Sequence, residues 1–591
     1  MKRNEVNEKD VWRTEDIFVN AGEWDKEFSE LNKDLPAILA YKGKLDDKYD
    51  FLACMQCNDS LNKRLEKLYA YAHLKHDENG TDESGAALYA RAQDLYMHYC
   101  TYSSFVMPEL GQLDDVTLSA YIGDPELKAY RYLLTEVRRS KKHILSGEEE
   151  RLLALGQTTF NGYYNVFNML NNADMPFPKI DMGGKKVRLS HGLYGECLSS
   201  TDPVLRKKAF DGMYKAVGAV LNTLGANYAA SVAKDNFLAT ARGYGSAVEK
   251  STDSDNVPGE VYKKLVRTVG DRLAPVHRYM KLRKKALGAD KLHMYDLHVS
   301  IVRDADLKLP FEDAFELVCK GLSPMGEEYA ELLRSARRNR WMDVYETENK
   351  RSGAYSMGVY GVHPFVLLNY SATAHDVFTI AHELGHALHT YYSSKTQEYV
   401  NADYSIFVAE VASTVNEVLL LKYMLSKETD VNMRKFLLQY YLDMFRTTLF
   451  RQTMFAEFEL KSHEMAQAGK PLTVESLSRE YLKLNKKYYG PDVVHDRAIR
   501  WEWARIPHFY SAFYVYKYAT GLTSAVKIAH DILTEGDTAV ARYKEKFLCA
   551  GGSKSPYDIL CDVGVDLKRD EPYEIAMEEF VKTLALLEEL L

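Results

Sequence analysis

Thr373-Ala-His-Asp-Val-Phe-Thr-Ile-Ala-His382-Glu383-Leu-Gly-His386-Ala-Leu-His389 is the stretch from which the rest of the chain is read. Thr373 and Asp376 have the spacing of a capping box, in which each side chain bonds the other's backbone N–H, so a helix is expected to start here. Residues four apart on a helix share a face, so His382 and His386 can turn their imidazoles toward one ion. Glu383 then stands beside the open position of that ion, where a general base is needed. This is HExxH on a helix, a motif short enough to arise by chance, so its surroundings have to decide.

Downstream, the run from about Tyr404 to Leu425 is strongly apolar and is interrupted by Glu410 and Glu417, seven residues apart and hence on one face. A carboxylate on a buried helix needs a cation or a hydrogen-bond network to neutralise it. A zinc ion does so, and catalytic zinc takes three protein ligands plus an open position. His382, His386 and Glu410 supply a His2Glu set, and Glu417 can orient a ligand histidine from behind. His389 is the rival third ligand. On a straight helix, however, residues 382 to 389 span about 10 Å, too far for one ion with bonds of about 2 Å. A supporting role near the metal or facing substrate is expected for it instead. His363 and His375 receive no ligand role.

Apolar residues elsewhere recur at three- and four-residue spacing, as in Leu61, Leu65, Leu68 and Tyr69, or Leu419, Tyr423 and Met424. The expected fold is mainly α, two-lobed, with a small β-sheet near the metal site. Lys179 to Met182, Gly183-Gly184 and Lys186 to Leu189 read as a hairpin. Tyr355 to Tyr370 reads as strand, and Gly353 to Gly358 with Gly361 to Phe365 is either an edge on which an extended peptide can pair or a plain connecting hairpin. Asp202-Pro203 signals the start of a long helix. A lobe boundary is placed near residue 195, giving an N-terminal helical lobe over 1–195 and a catalytic domain over 196–591.

The 591 residues far exceed what one core holds. A net charge of −8 argues against nucleic acid as a partner. The basic runs Arg138 to Lys142 and Arg334 to Arg340 are therefore read as solvated helix faces. Seven cysteines, an odd number, fit reduced thiols better than a disulfide framework, and Cys54-Met-Gln-Cys57 lacks a second CxxC for a metal site. No secretory h-region or membrane-spanning run is found, so the cytoplasm is the expected location. No repeat occurs.

His382-Glu383-x-x-His386, then 23 residues, then Glu410 within Phe407-Val-Ala-Glu-Val-Ala-Ser413 resembles the thimet oligopeptidase family, in its details the oligoendopeptidase F branch. Lys350-Arg-Ser-Gly-Ala-Tyr-Ser356, Tyr295-Asp296, Trp12 and Arg505-Ile-Pro-His508-Phe-Tyr510 match it as well, so the resemblance covers nearly the whole chain. It implies a two-lobed helical zinc peptidase with a deep substrate channel that cleaves oligopeptides internally and excludes folded proteins. It also implies zinc ligands at His382, His386 and Glu410, with Glu383 as base. The family places a histidine and several tyrosines on a late helix to bind substrate and stabilise the tetrahedral intermediate. His508 matches the histidine. Tyr514 first and Tyr510 second are the tyrosine candidates, sharing a helical face with Tyr518, although their spacing departs from the thimet branch. An exopeptidase of dipeptidyl-carboxypeptidase type and a non-catalytic peptide-binding protein are the rival readings.

Overall fold

Helix α1 (Lys48–Glu78) starts where the Asp47 carboxylate accepts the Tyr49 and Asp50 N–H groups, and it buries the expected Leu61, Leu65 and Leu68. Helix α2 (Glu83–Ser103) is capped by Asp82 and packs beside it. The hairpin of β1 (Lys179–Met182) and β2 (Lys185–Arg188) closes through Gly183 and Gly184. Both glycines have positive φ, +63° and +90°, which two-residue hairpin turns demand. Helix α3 (Pro203–Ala219) begins at Asp202, whose carboxylate accepts the Val204 N–H, with Pro203 in the first turn. Strands β3 (Met342–Tyr345), β4 (Tyr355–Met357) and β5 (Phe365–Tyr370) form one sheet in the order β3-β5-β4. Strand β5 runs parallel to β3 and antiparallel to β4, which leaves β4 an edge strand. Helices α4 (Ala374–Thr396), α5 (Ile406–Lys427), α6 (Arg451–Gln467) and α7 (Tyr516–Glu535) follow. The computed structural model describes residues 1–302 and 308–591. The chain is mainly helical, as its periodicity predicts.

Two compact units divide it. The first collects residues 1–144, 306–423 and 528–565. Its main core is built on α1, where Leu61, Leu65 and Leu68 cluster with Trp24, Leu95 and Leu134. A smaller core joins the far end of α1 to the sheet, packing Trp12 and Leu74 with Phe365 and Leu367. Lys350 is sealed within this unit: its ammonium pairs with Asp343 at 2.7 Å and donates to the carbonyls of Tyr345 and Leu368, tying β3 to β5. Burial pushes its pKa down, against the pull of Asp343. Arg337 departs from the solvated face expected for its basic run, because Asp10 and Glu312 hold a guanidinium that is only 11% exposed.

The second unit collects residues 145–305, 424–527 and 566–591. The expected boundary near residue 195 lies inside this unit, and each unit is assembled from separate stretches of chain. Tyr228, Phe458, Tyr481 and Trp503 form part of its aromatic core. Two charge pairs are buried there: Arg206 with Asp296 at 2.8 Å, and Arg451 with Glu502 at 2.7 Å. No helix among the described residues is long and apolar enough to cross a membrane. All seven cysteines are free.

Candidate metal centre

Helix α4 starts as its capping box dictates. Asp376 Oδ2 accepts the Thr373 N–H at 2.9 Å, and Thr373 Oγ1 accepts the Asp376 N–H at 3.3 Å. One face of α4 then presents His382 and His386, with their Nε2 atoms 3.2 Å apart. Glu410 Oε2, from α5, lies 3.3 Å from His382 Nε2 and 3.7 Å from His386 Nε2. Ligand bonds of about 2.0–2.1 Å in tetrahedral geometry put neighbouring ligand atoms about 3.3–3.4 Å apart. The three atoms thus mark three corners of a zinc-sized tetrahedron and leave the fourth free. Among the described residues this is the one group of three or more His, Cys, Asp or Glu side chains gathered closely enough to hold a metal.

Close approach of the two helices makes the triangle possible. A Cβ on Gly385 would sit 2.5 Å from Ser413 Cα and 2.9 Å from Ala412 O, so only glycine lets α5 come this near. Asn416 fixes the contact, donating to Ala381 O at 3.2 Å while accepting the Tyr329 hydroxyl at 3.0 Å. Neither residue stands out in the sequence. The available signals were a glycine inside the HExxH motif and an amide beside Glu417 in an apolar helix.

Glu417 Oε1 lies 2.6 Å from His382 Nδ1, which favours a proton on Nδ1 and turns Nε2 toward Glu410 and His386. Burial by itself lowers the His382 pKa, but hydrogen bonds to Glu410 and Glu417 overcome it and raise the value to about 10. His382 and His386 hold the Glu410 carboxyl well below the usual range. The cluster is therefore one that draws positive charge. Glu383 is almost fully buried next to these groups, and burial raises its pKa against the pull of the two histidines.

His389 stands apart from the triangle. Its ring is 1% exposed and stacks on Tyr404 at 3.7 Å and on Phe547 at 5.0 Å, and burial lowers its pKa to about 3. His363 bonds Asp16 at 2.9 Å and stacks on Trp341, while His375 is exposed.

In the second unit, the late segment is not the continuous helix expected from its sequence. Pro507–Tyr510 is a short 3-10 turn, Phe513 takes a left-handed φ of +60°, and α7 starts only at Tyr516. The cause lies outside the segment: Glu459 Oε1 on α6 accepts the Phe513 N–H at 3.0 Å and holds the bend. Helical spacing therefore does not relate Tyr510 to Tyr514. Tyr510 is 9% exposed, packs on Phe167, and accepts a hydrogen bond from Asn227 at 3.1 Å. His508, Tyr514 and Tyr518 form a group of their own. Tyr514 stacks on His508 at 6.0 Å, and the Tyr518 hydroxyl lies 3.4 Å from His508 Nε2.

With this geometry in view, comparison with known proteins is direct. The sequence model of peptidase family M3 matches residues 197–579, and that of an oligopeptidase F domain matches residues 109–177. The chain belongs to peptidase family M3. Oligopeptidase PepF of Bacillus subtilis is similar at 43% identity, covering 100% of this chain and 88% of that protein. An oligoendopeptidase F homologue of Borreliella burgdorferi is 37% identical, with 98% of each chain covered. The crystal structure of oligoendopeptidase-F from Enterococcus faecium matches with a TM-score of 0.73 at 37% identity, covering 96% of this chain and 99% of that one. A solved structure from Chlamydophila abortus matches with a TM-score of 0.95 at 34% identity over 100% of both chains. The kinship read from the HExxH spacing holds across the chain, and both α4 and α5 lie within the M3 match.

Proposed function

We propose that this M3 peptidase is a zinc-dependent oligopeptidase cutting internal bonds of short, unstructured peptides. The observation that carries the reading is the triangle of 3.2, 3.3 and 3.7 Å drawn by His382, His386 and Glu410. These donors fit zinc in number, kind and spacing. Zinc held there would acidify a water molecule and polarise the scissile carbonyl. Glu383 takes the proton from that water and returns it to the leaving amine. Glu417 keeps His382 in the tautomer that binds metal. Relatives named oligopeptidase and oligoendopeptidase F support internal cleavage of oligopeptides.

On the family resemblance, we assign oxyanion stabilisation and substrate binding to His508 and Tyr514. Tyr510, engaged by Asn227, supports their segment. The edge of β4 offers backbone hydrogen bonds to a substrate in extended form. Free cysteines throughout suit a reducing compartment, the cytoplasm.

A mixed peptide library digested with and without chelator, and read by mass spectrometry, tests the reading. Metal-dependent internal cuts are expected. Release of only terminal residues or dipeptides would make the protein an exopeptidase, and peptide binding without any cleavage would make it a non-catalytic binder. The same peptide placed in a flexible loop of a folded protein should resist cleavage until that protein is denatured.

A further inference from the structure

A cavity of about 800 Å³ opens within the first unit, beside the metal-site helices. Thr390, one helical turn beyond His386, and Ala409, the residue before Glu410, line one side. Ser356 of edge strand β4 and Gly358 just after it line another. Its volume falls in the range of about 300–1,000 Å³ typical of ligand sites.

The lining has one sign of charge. Asp59 and Glu66 face the cavity from α1 and Asp403 from the loop before α5, and no Lys, Arg or His is among the lining residues. Their hydrogen bonds come from neutral donors, while Lys63 attracts Asp59 and Lys67 attracts Glu66 from outside the lining. Tyr130 donates to Asp59 at 2.9 Å, the Tyr360 N–H to Glu66 at 2.8 Å, and the Tyr404 N–H to Asp403 at 2.9 Å. Lys63, a neighbouring cation, lies over the rings of Tyr360 and Tyr399 at 5.1 and 5.3 Å. Burial still raises the pKa of both Asp59 and Glu66. Tyr99, Tyr360, Tyr399 and Tyr404 supply aromatic faces and edges around the acids. Carboxylates with aromatic faces are the chemistry that recognises ammonium and guanidinium groups. A bare metal ion does not suit them, because Asp59, Glu66 and Asp403 do not converge as His382, His386 and Glu410 do.

We infer that this cavity is a subsite for a cationic group of the peptide, a Lys or Arg side chain or a free α-ammonium, on a chain lying along β4. The inference rests on the peptidase reading above and adds a preference for charge to it.

The test uses the full-length zinc-loaded protein and a set of peptides in which Lys is exchanged for norleucine, and Arg for citrulline, at each position around the cut. Each peptide is made with a free and an acetylated N-terminus, which separates side chain from terminus. At one register the cation should raise kcat/KM about tenfold, as a charge-assisted contact does. Asp59→Asn combined with Glu66→Gln should bring that ratio toward one. Should the double variant unfold, Asp403→Asn on the exposed loop should still lower the ratio severalfold. Calorimetric titration of the metal-free protein with the Lys and norleucine peptides reads the same preference without turnover. Binding preference without hydrolysis would sustain the subsite and defeat the peptidase reading. Hydrolysis with equal rates and equal affinities across the set would overturn the subsite alone.

Discussion

His389 follows His386 on α4, Glu417 shares a face of α5 with Glu410, and the two side chains meet different surroundings. Glu417 reaches His382 Nδ1 at 2.6 Å, whereas His389 fills an aromatic slot between Tyr404 and Phe547. Partners of a ligand's second ring nitrogen are worth about 10–100-fold in metal affinity. Glu417→Gln should accordingly weaken zinc by about that factor in a chelator competition, while His389→Ala should keep one zinc per chain and lower the melting temperature. Zinc loss from His389→Ala with none from Glu417→Gln would reverse the two roles. The gathering of His382, His386 and Glu410 was legible at this scale because each signal is local. Two histidines four apart need only a helix, and an acid in an apolar helix needs only burial to call for a cation. Gly385 and Asn416 were not legible, since what they do depends on a neighbouring helix that the local pattern does not specify.

Elements bring His382, His386 and Glu410 together. Gly385→Ala adds one carbon at a place where Ser413 Cα would be 2.5 Å away, so α5 must shift. Glu410 moves with it. Overpacking of this kind costs about 1–3 kcal/mol, and the predicted variant loses stability and zinc affinity together while His382 and His386 are unchanged. Denaturation midpoints and zinc titration check both, and wild-type values in both would remove the close-packing account. Edge strand β4 has its own anchor: Asp77 on α1 accepts the Tyr355 hydroxyl at 2.9 Å and pairs with His73 at 3.0 Å. Burial raises the Asp77 pKa, but the bonds from His73, Tyr355 and His76 outweigh it and bring the value down to about 2. A folded-state pKa below the unfolded value of about 3.9 stabilises the fold above pH 4, and that stability is lost as pH falls toward 2. Unfolding free energies from urea titrations should decline by about 2 kcal/mol across that window in the wild type and less in Asp77→Asn. Identical slopes would show that Asp77 is not the group titrating. Helix limits were largely readable, because caps such as Thr373–Asp376 and Asp202-Pro203 lie in the segment they start. The segment 508–518 misled for the opposite reason: Glu459, some fifty residues away, holds the N–H of Phe513 and breaks the helix that its tyrosine spacing suggests.

At the scale of the whole molecule, each compact unit is drawn from three stretches of chain. A single boundary near residue 195 could not describe such a division, because local patterning registers caps and linkers but not which distant stretches pack together. The M3 match, in contrast, begins at residue 197 and spans parts of both units. Family kinship follows the order of residues along the chain, and compactness follows contacts in space. The proposed function joins the two: one ion held by His382, His386 and Glu410, with Glu383 beside it as a base and not as a ligand. Replacing Glu383 by Gln keeps the size of the side chain and removes its ability to take a proton. Zinc content and peptide turnover of Glu383→Gln, measured on the same preparation, test this most directly. The account predicts one zinc per chain and hydrolysis reduced by at least about a hundredfold; near-normal hydrolysis, or loss of the zinc, would contradict it.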